Sequence, residues 1–244
     1  MRPHAPLVEL GRRLLRRTGY AVVWRNPRGY SLPTHLIALL GHLGVDCVLD
    51  AGAHFGEYGR LLRQYGYLGR IVSFEPVAAN FERLTDARAG DPDWHAYDIA
   101  LGSEDGELDL NVARDTALSS FLEPSSRPLT AALAVESRER VRVRTLDSMF
   151  EECVAGLRDP RVFLKMDTQG WDREVVRGAG RTLPRLAGLQ SEVSVLPLYE
   201  GMTDYLEAIH ELQGLGFELT GIYPVAYDGF RVVELDVVLA RAAG

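Results

Sequence analysis

After residue 45 the chain alternates short apolar segments with amphipathic ones, and this alternation constrains the fold more than any other feature. The strand candidates are Cys47–Asp50, Ile71–Phe74, Trp94–Ile99, Val162–Asp167, Leu189–Val195, Phe217–Tyr223 and Val232–Ala240. The segments between them have helical spacing, at Tyr58–Tyr65, Ala78–Arg88, Arg173–Leu183 and Met202–Leu215. Such alternation predicts an α/β protein whose mainly parallel sheet has helices on both faces.

One region, residues 106–148, interrupts this rhythm. Leu108–Val112 and Val141–Thr145 alternate apolar and polar residues, and a polar stretch separates them. Long loops in compact domains are usually functional or disordered. We therefore interpret this region as an inserted flap or strand pair over the functional site.

Composition and charge exclude several classes of protein. The net charge of −7 argues against nonspecific nucleic-acid binding. No apolar run reaches about 18 residues, so we expect no transmembrane segment. The two cysteines, Cys47 and Cys153, have no metal-ligand spacing and form no disulfide framework. This cysteine usage predicts a cytoplasmic protein.

The N-terminal segment is basic, in contrast to the rest of the chain. Residues 1–30 contain seven arginines and a single acid, Glu9. We predict that residues 1–44 form a helical cap, basic at its start, on a domain that spans residues 45–244. The basic segment is either a solvated helix or a docking surface for a membrane or an acidic partner. Homo-oligomer formation is also open.

The sequence VLDAGAHFGEY, residues 48–58, predicts a buried strand that leads through a glycine loop into a helix. Only two glycines are present, and Asp50 precedes them, so the loop departs from the dinucleotide fingerprint G-x-G-x-x-G. An acid suits a cationic ligand better than a pyrophosphate. S-adenosylmethionine (SAM), with its ammonium, sulfonium and ribose, therefore fits better than NAD. Glu75 follows the next strand, where an acid accepts ribose hydroxyls.

Several segments together resemble the FkbM-type SAM-dependent methyltransferases, from about residue 45 to 240. They are VLDAGAHFGEY, GYLGRIVSFEPVAANFERL, ALGSEDGELDLNV, LSSFLEP, RVRTLDS, FLKMDTQGWDREVVRGA and LQSEVSVLPLYEGMTDY. The resemblance implies a class I, Rossmann-like methyltransferase fold, with a seven-stranded mainly parallel sheet and a C-terminal antiparallel hairpin. It also implies methyl transfer to a hydroxyl of a natural-product, sugar or glycolipid acceptor. His54 stands where the family usually has asparagine.

The predicted SAM-binding residues follow the ends of the strands. They are Asp50, Gly52, Ala53, Gly56, Tyr58, Glu75, Asp98, Ala100 and Asp167. For the adenine, either the Asp98 side chain or the adjacent backbone at Ala100 and Leu101 is the contact. We expect Tyr199 to line the acceptor pocket and Ser119 and Ser120 to close over it.

Three residues are candidates for catalysis: Lys165, Asp167 and Glu192. Asp167 and Glu192 either bind Mg²⁺ or another divalent cation that acidifies the acceptor hydroxyl, or Asp167 acts as general base without metal. In a third alternative Glu192 is a structural partner of Lys165. Lys165 is the only lysine among 27 basic residues, and we predict that it is buried beside Asp50 or Glu192.

Two other functions compete with methyl transfer. A SAM-binding sensor or scaffold would use the same loop without catalysis. A nucleotide-dependent oxidoreductase is disfavoured because the third glycine of the dinucleotide fingerprint is missing.

Overall fold

The computed structural model describes residues 31–126 and 133–242, so the arginine-rich N-terminal segment lies outside the described residues. Ten strands are present: β1 Cys47–Ala51, β2 Arg70–Phe74, β3 Trp94–Tyr97, β4 Ala100–Leu101, β5 Gly106–Ala113, β6 Val135–Arg144, β7 Val162–Met166, β8 Leu186–Ser194, β9 Phe217–Asp228 and β10 Arg231–Arg241. The six helices are α1 Leu32–Leu43, α2 Glu57–Gln64, α3 Ala78–Ala87, α4 Leu146–Cys153, α5 Asp172–Arg177 and α6 Tyr205–Gly214. None of these described helices is long and apolar enough to cross a membrane.

The main sheet has seven strands in the order β3-β2-β1-β7-β8-β10-β9. The first five of these strands are parallel, whereas β10 runs antiparallel to both β8 and β9. The predicted fold, with its C-terminal antiparallel hairpin, is confirmed.

Helices cover both faces of this sheet because its buried strands are apolar on both sides. Val48 and Phe163 pack with α1, α2 and α3 on one face. Leu49 and Leu164 pack with α4, α5 and α6 on the other. Polar residues interrupt the first face only near the carboxyl ends of the strands, which is where the functional site lies.

The inserted region carries a second sheet. Strands β5 and β6 pair antiparallel, and β4 adds to β6 to give the order β4-β6-β5. Between β5 and β6 a short 3-10 turn, Thr116–Leu118, faces the site. The region predicted as a flap or strand pair therefore contains a strand pair, with residues 127–132 outside the described part of the chain.

Several predicted boundaries differ from the structure, and two of the differences affect the site. The predicted strand Trp94–Ile99 ends at Tyr97, because the chain leaves the main sheet there and continues into β4 of the second sheet. The predicted helix Arg173–Leu183 ends at Arg177. Gly178 follows it, where a Cβ atom would lie 1.9 Å from the carbonyl oxygen of Gly102, so this point is a close contact between two backbones.

Candidate active site

A row of polar side chains crosses the sheet at the carboxyl ends of its central strands. The register places Asp50 of β1 beside Lys165 of β7, and Lys165 beside Gln190 of β8. Two residues further along, Glu192 lies beside Asp236 of β10. Because side chains alternate between faces with a period of two, all five point to the face that α1 and α2 cover.

A cavity of about 450 Å³ opens at this edge of the sheet. Its lining contains six acidic residues and one lysine, namely Glu57, Glu75, Asp167, Glu192, Glu234, Asp236 and Lys165. Ala100, Leu101, Leu110 and Phe121 add an apolar wall. A recess with this excess of carboxyl groups favours a cationic ligand that also has an apolar part.

The loop after β1 touches the end of β7 through backbone atoms. Gly52 has a φ of 74°, and a Cβ atom there would lie 1.9 Å from the carbonyl oxygen of Asp167. The amides of Gly52 and Ala53 both donate to the carbonyl oxygen of Phe74, at 3.1 Å. Only glycine fits at position 52, and both Gly52 and Ala53 line the cavity.

Glu75 is a buried carboxyl group at the end of β2. It accepts hydrogen bonds from the amides of His54 (2.8 Å) and Val77 (3.0 Å) and from Asn80 Nδ2 (3.1 Å). Burial raises the pKa of Glu75 to about 7, although these three donors oppose the shift. A carboxylate has about four acceptor sites, so roughly one remains, on Oε2, for a ligand hydroxyl.

His54 links the glycine loop after β1 to the inserted region. Its backbone is left-handed, with a φ of 48°, and its Nε2 lies 3.0 Å from Thr116 Oγ1. Burial lowers the pKa of His54. The residue that replaces the family's asparagine therefore contacts both Glu75 and the inserted region.

Asp50, which we predicted to bind the ligand, does not line the cavity. Its carboxylate is fully buried, accepts a hydrogen bond from Ser73 Oγ at 3.1 Å, and lies 3.0 Å from Lys165 Nζ. The reason is the β1–β7 register, which sets a cation directly beside it. The acids that line the cavity are other residues.

The predicted burial and pairing of Lys165 are confirmed, with Asp50 as the partner. The ammonium also donates to the carbonyl oxygen of Gly52 at 2.8 Å and lies 3.5 Å from Asp167 Oδ2. Burial alone would lower the pKa of Lys165, but the carboxylates of Asp50 and Asp167 outweigh it and raise that pKa. Glu192 forms no ion pair with Lys165 within 4.0 Å.

Asp167 and Glu192 approach each other across the ends of β7 and β8. One amide group, Gln169 Nε2, donates to Asp167 Oδ1 at 2.9 Å and to Glu192 Oε2 at 2.8 Å. Burial raises the pKa of Glu192 well above its ordinary value, and the carboxylates of Asp167 and Glu234 add to the shift.

Two more of the predicted ligand-binding residues lie away from the cavity. Asp98 is exposed and forms an ion pair with Arg142 at 2.5 Å, because the chain leaves the main sheet before it. Its neighbours Ala100 and Leu101 do line the cavity. Gly56 is the N-cap of α2, and its φ of 79° lies in the left-handed region that favours glycine.

Polar residues of β8 and β10 complete the site, and sequence reasoning did not select them. Tyr58, a predicted ligand-binding residue, donates to Gln190 Oε1 at 3.1 Å, and Gln190 Nε2 donates to Asp236 Oδ1 at 2.9 Å. Burial raises the pKa of Glu234 to about 7 and that of Asp236 to about 6. The signal was the alternation of Glu234 and Asp236 in an otherwise apolar strand.

The family follows from comparison with known proteins. The sequence profile of the methyltransferase FkbM domain matches residues 50–219. This range includes the glycine loop, Glu75, the acid pair of Asp167 and Glu192, and the first part of the hairpin. The chain belongs to the FkbM methyltransferase family. It is thus a SAM-dependent methyltransferase.

Individual relatives of this methyltransferase agree with that assignment. It is 27% identical over 200 residues to the 2-O-methyltransferase NoeI of Sinorhizobium fredii, an alignment that covers 79% of this chain and 78% of the relative. The crystal structure of an FkbM methyltransferase from Methylobacillus flagellatus KT superposes with a TM-score of 0.51 at 17% identity. That match covers 79% of this chain but only 43% of the other, so this methyltransferase spans less than half of that protein.

A second solved structure shows the same fold. The methyltransferase from Thermobifida fusca YX superposes with a TM-score of 0.50 at 12% identity, over 87% of this chain and 79% of the other. At such low identities the likeness concerns the fold alone.

Proposed function

We propose that this protein transfers the methyl group of SAM to a hydroxyl oxygen of a small-molecule acceptor, with Asp167 as the general base. The observation that carries the proposal is the position of Asp167: it lines the cavity and exposes 36% of its side chain there. The name of the Sinorhizobium relative, a 2-O-methyltransferase, supports a hydroxyl as the acceptor.

The residues that line the cavity support SAM as the methyl donor. SAM, when bound, supplies a methyl group on a positively charged sulfur. The surplus of carboxyl groups favours that cation, and the remaining acceptor site of Glu75 suits a ribose hydroxyl. The wall formed by Ala100, Leu101 and Phe121 suits the adenine. We assign no ligand contact to Asp50, Gly56 or Asp98.

The chemistry required of the protein is removal of one proton. Asp167 accepts the proton of the acceptor hydroxyl as that oxygen forms its bond to the methyl carbon and the bond from this carbon to sulfur breaks. Burial raises the pKa of Glu192, whereas 36% of the Asp167 side chain is exposed. Lys165, 3.5 Å from Asp167 Oδ2, fixes the base beside the glycine loop. The products are a methyl ether and S-adenosylhomocysteine.

The residues do not fit a divalent cation between Asp167 and Glu192. Such a cation needs several oxygen ligands, whereas Gln169 Nε2 already donates to one oxygen of each carboxyl group. In the described ranges, 31–126 and 133–242, no group of three or more acidic, histidine or cysteine side chains is placed to hold a metal. We therefore propose a metal-free reaction.

The acceptor's chemical class is part of this proposal. Beyond the base, the recess is lined by Gln190, Glu234 and Asp236, all of which accept hydrogen bonds. A molecule with several hydroxyl groups matches such a lining better than an apolar one does. We therefore expect a sugar-like or otherwise polyhydroxylated acceptor.

The experiment is a transfer assay with methyl-labelled SAM and a panel of saccharides, glycolipids and hydroxylated polyketides. We expect label in a product that withstands mild alkali, as a methyl ether does and a methyl ester does not. Calorimetry with SAM is run alongside. SAM binding without transfer to any acceptor would instead favour a sensor or scaffold, and alkali-labile label would overturn O-methylation of a hydroxyl.

A further inference from the structure

The link between Asp167 and Glu192 is a residue to which the preceding mechanism gives no role. Gln169 is buried, and its side-chain amide is the group that contacts both acids. We propose that Gln169 is a positioning residue that holds the two carboxyl groups together and aims Asp167 at the acceptor hydroxyl. This inference rests on the proposed function, since it takes Asp167 as the base.

The first argument is the local backbone. Gln169 has a φ of 52°, in the left-handed region that residues other than glycine seldom adopt. Left-handed backbone in a residue with a large side chain costs free energy and clusters at functional sites. Here the turn returns the side chain of Gln169 to Asp167, two residues before it.

The second argument is that other parts of the protein contact both the backbone carbonyl and the side chain of Gln169. The hydroxyl of Ser120, in the inserted region, donates to its carbonyl oxygen at 2.7 Å. The hydroxyl of Tyr199, also buried, lies 3.0 Å from Gln169 Oε1 and 2.8 Å from the carbonyl oxygen of Leu118. This hydroxyl has one proton to donate to either oxygen, and its contact with Oε1 leaves Nε2 of the same amide facing the acids.

The third argument is electrostatic. The ionisable groups that face the acid pair are Lys165 from β7, Asp172 from α5, Glu234 and Asp236 from β10, and Tyr199 from the segment after β8, with Asp50 of β1 paired to Lys165. Most of them are acids, so they disfavour further negative charge. The N–H groups of Gln169 are the uncharged donors that oppose this effect, because donation to a carboxylate favours its ionised form.

The test compares two buried glutamines. Gln169→Leu removes both donors at nearly constant volume. Gln190→Leu is the matched control, since Gln190 also lies between a phenol and a carboxyl group but contacts Asp236 instead of the pair. Carbon-13 labels on the Asp and Glu carboxyl carbons of the SAM-free protein report titration. The loss of signals in Asp167→Asn and Glu192→Gln assigns them.

We expect Gln169→Leu to raise the apparent pKa of the acid pair by about one pH unit or more, as the loss of hydrogen bonds to a charged group implies. Turnover at pH 7 should fall about tenfold or more and recover in part at higher pH, while the dissociation constant for SAM changes less than about twofold. Gln190→Leu should leave the titration of the pair in place.

An unchanged titration in Gln169→Leu, a loss of turnover that is equal at every pH, or an equal shift in Gln190→Leu would overturn the inference. If Gln169→Leu does not fold, Tyr199→Phe replaces it, and the same upward shift, smaller in size, is expected; no shift overturns the inference. If the wild type methylates no hydroxyl, the proposed function fails, but the titration still decides the role of Gln169.

Discussion

Lys165 and Asp50 form a buried ion pair, with 3.0 Å between Nζ and Oδ1 and side-chain exposures of 6% and 0%. The same ammonium donates to the carbonyl oxygen of Gly52, in the loop that lines the cavity. Lys165 thus neutralises Asp50 within the sheet, and its hydrogen bond to Gly52 stabilises the glycine loop.

The first prediction concerns this pair. Lys165→Met leaves the Asp50 carboxylate buried without a counter-charge, and breaking such a pair costs about 3–5 kcal/mol. Lys165→Arg keeps the charge but adds a bulky planar group, so it should destabilise less. We expect melting temperatures in the order wild type, Arg, Met. In the double variant Lys165→Met/Asp50→Asn the loss should be smaller than the sum of the two single losses. Equal melting of all variants would contradict this role.

The second prediction concerns Glu75 and pH. Its pKa in the free protein is raised to about 7, and a donated ribose hydroxyl favours the ionised form. SAM affinity should therefore weaken as pH falls below about 7, with a proton released on binding. Glu75→Gln should lose about 1.5–3 kcal/mol of SAM binding at pH 8, measured by calorimetry, and should lose this part of the pH dependence. Glu82→Gln, at an exposed position of α3, is the control and should behave as wild type.

The third prediction concerns metal. Because Gln169 Nε2 occupies an oxygen of each acid, we expect turnover in excess EDTA to equal turnover with added Mg²⁺. Asp167→Asn should retain SAM binding and lose turnover in both conditions. Loss of activity in EDTA that Mg²⁺ restores would establish the cation-dependent alternative instead.

The fourth prediction concerns stability. Burial raises the pKa of Glu234 from 4.5 to about 7, so the folded state binds more protons than the unfolded state between these values. The contribution of Glu234 to the free energy of unfolding therefore falls as pH rises through this window. Above about pH 7 the full destabilisation from its buried charge is present. Glu234→Gln should melt higher than wild type at pH 8, with a smaller difference at pH 4.5. Glu218→Gln, exposed on β9, should show no such pH-dependent gain; equal behaviour of the two variants would refute the assignment.

Local patterns in the sequence were sufficient to predict the strands, the glycine loop and the acids at the strand ends. The sequence left Asp50 and Glu192 as possible partners of Lys165, and only the β1–β7 register decides between them. Asp98 was misplaced because the switch of the chain from β3 to a second sheet has no local signal.

The rest of the site depends on strand order. Glu234 and Asp236 approach Glu192 because β10 inserts between β8 and β9, which no local pattern reveals. Gln169 was not predicted for a different reason. Its side chain is uncharged, and its two hydrogen bonds to the acids depend on the folded structure, so the sequence gives no signal of them.

The contact between Gly52 and the carbonyl oxygen of Asp167 has a consequence for how such enzymes diversify. The contact joins the glycine loop after β1 to the proposed base through main-chain atoms. Substitution of side chains that line the cavity therefore leaves this contact in place. Side chains on β8 and β10 carry no such constraint. Under the proposed function, substitutions at positions such as 190, 234 and 236 should therefore change acceptor preference more than they change the position of the base.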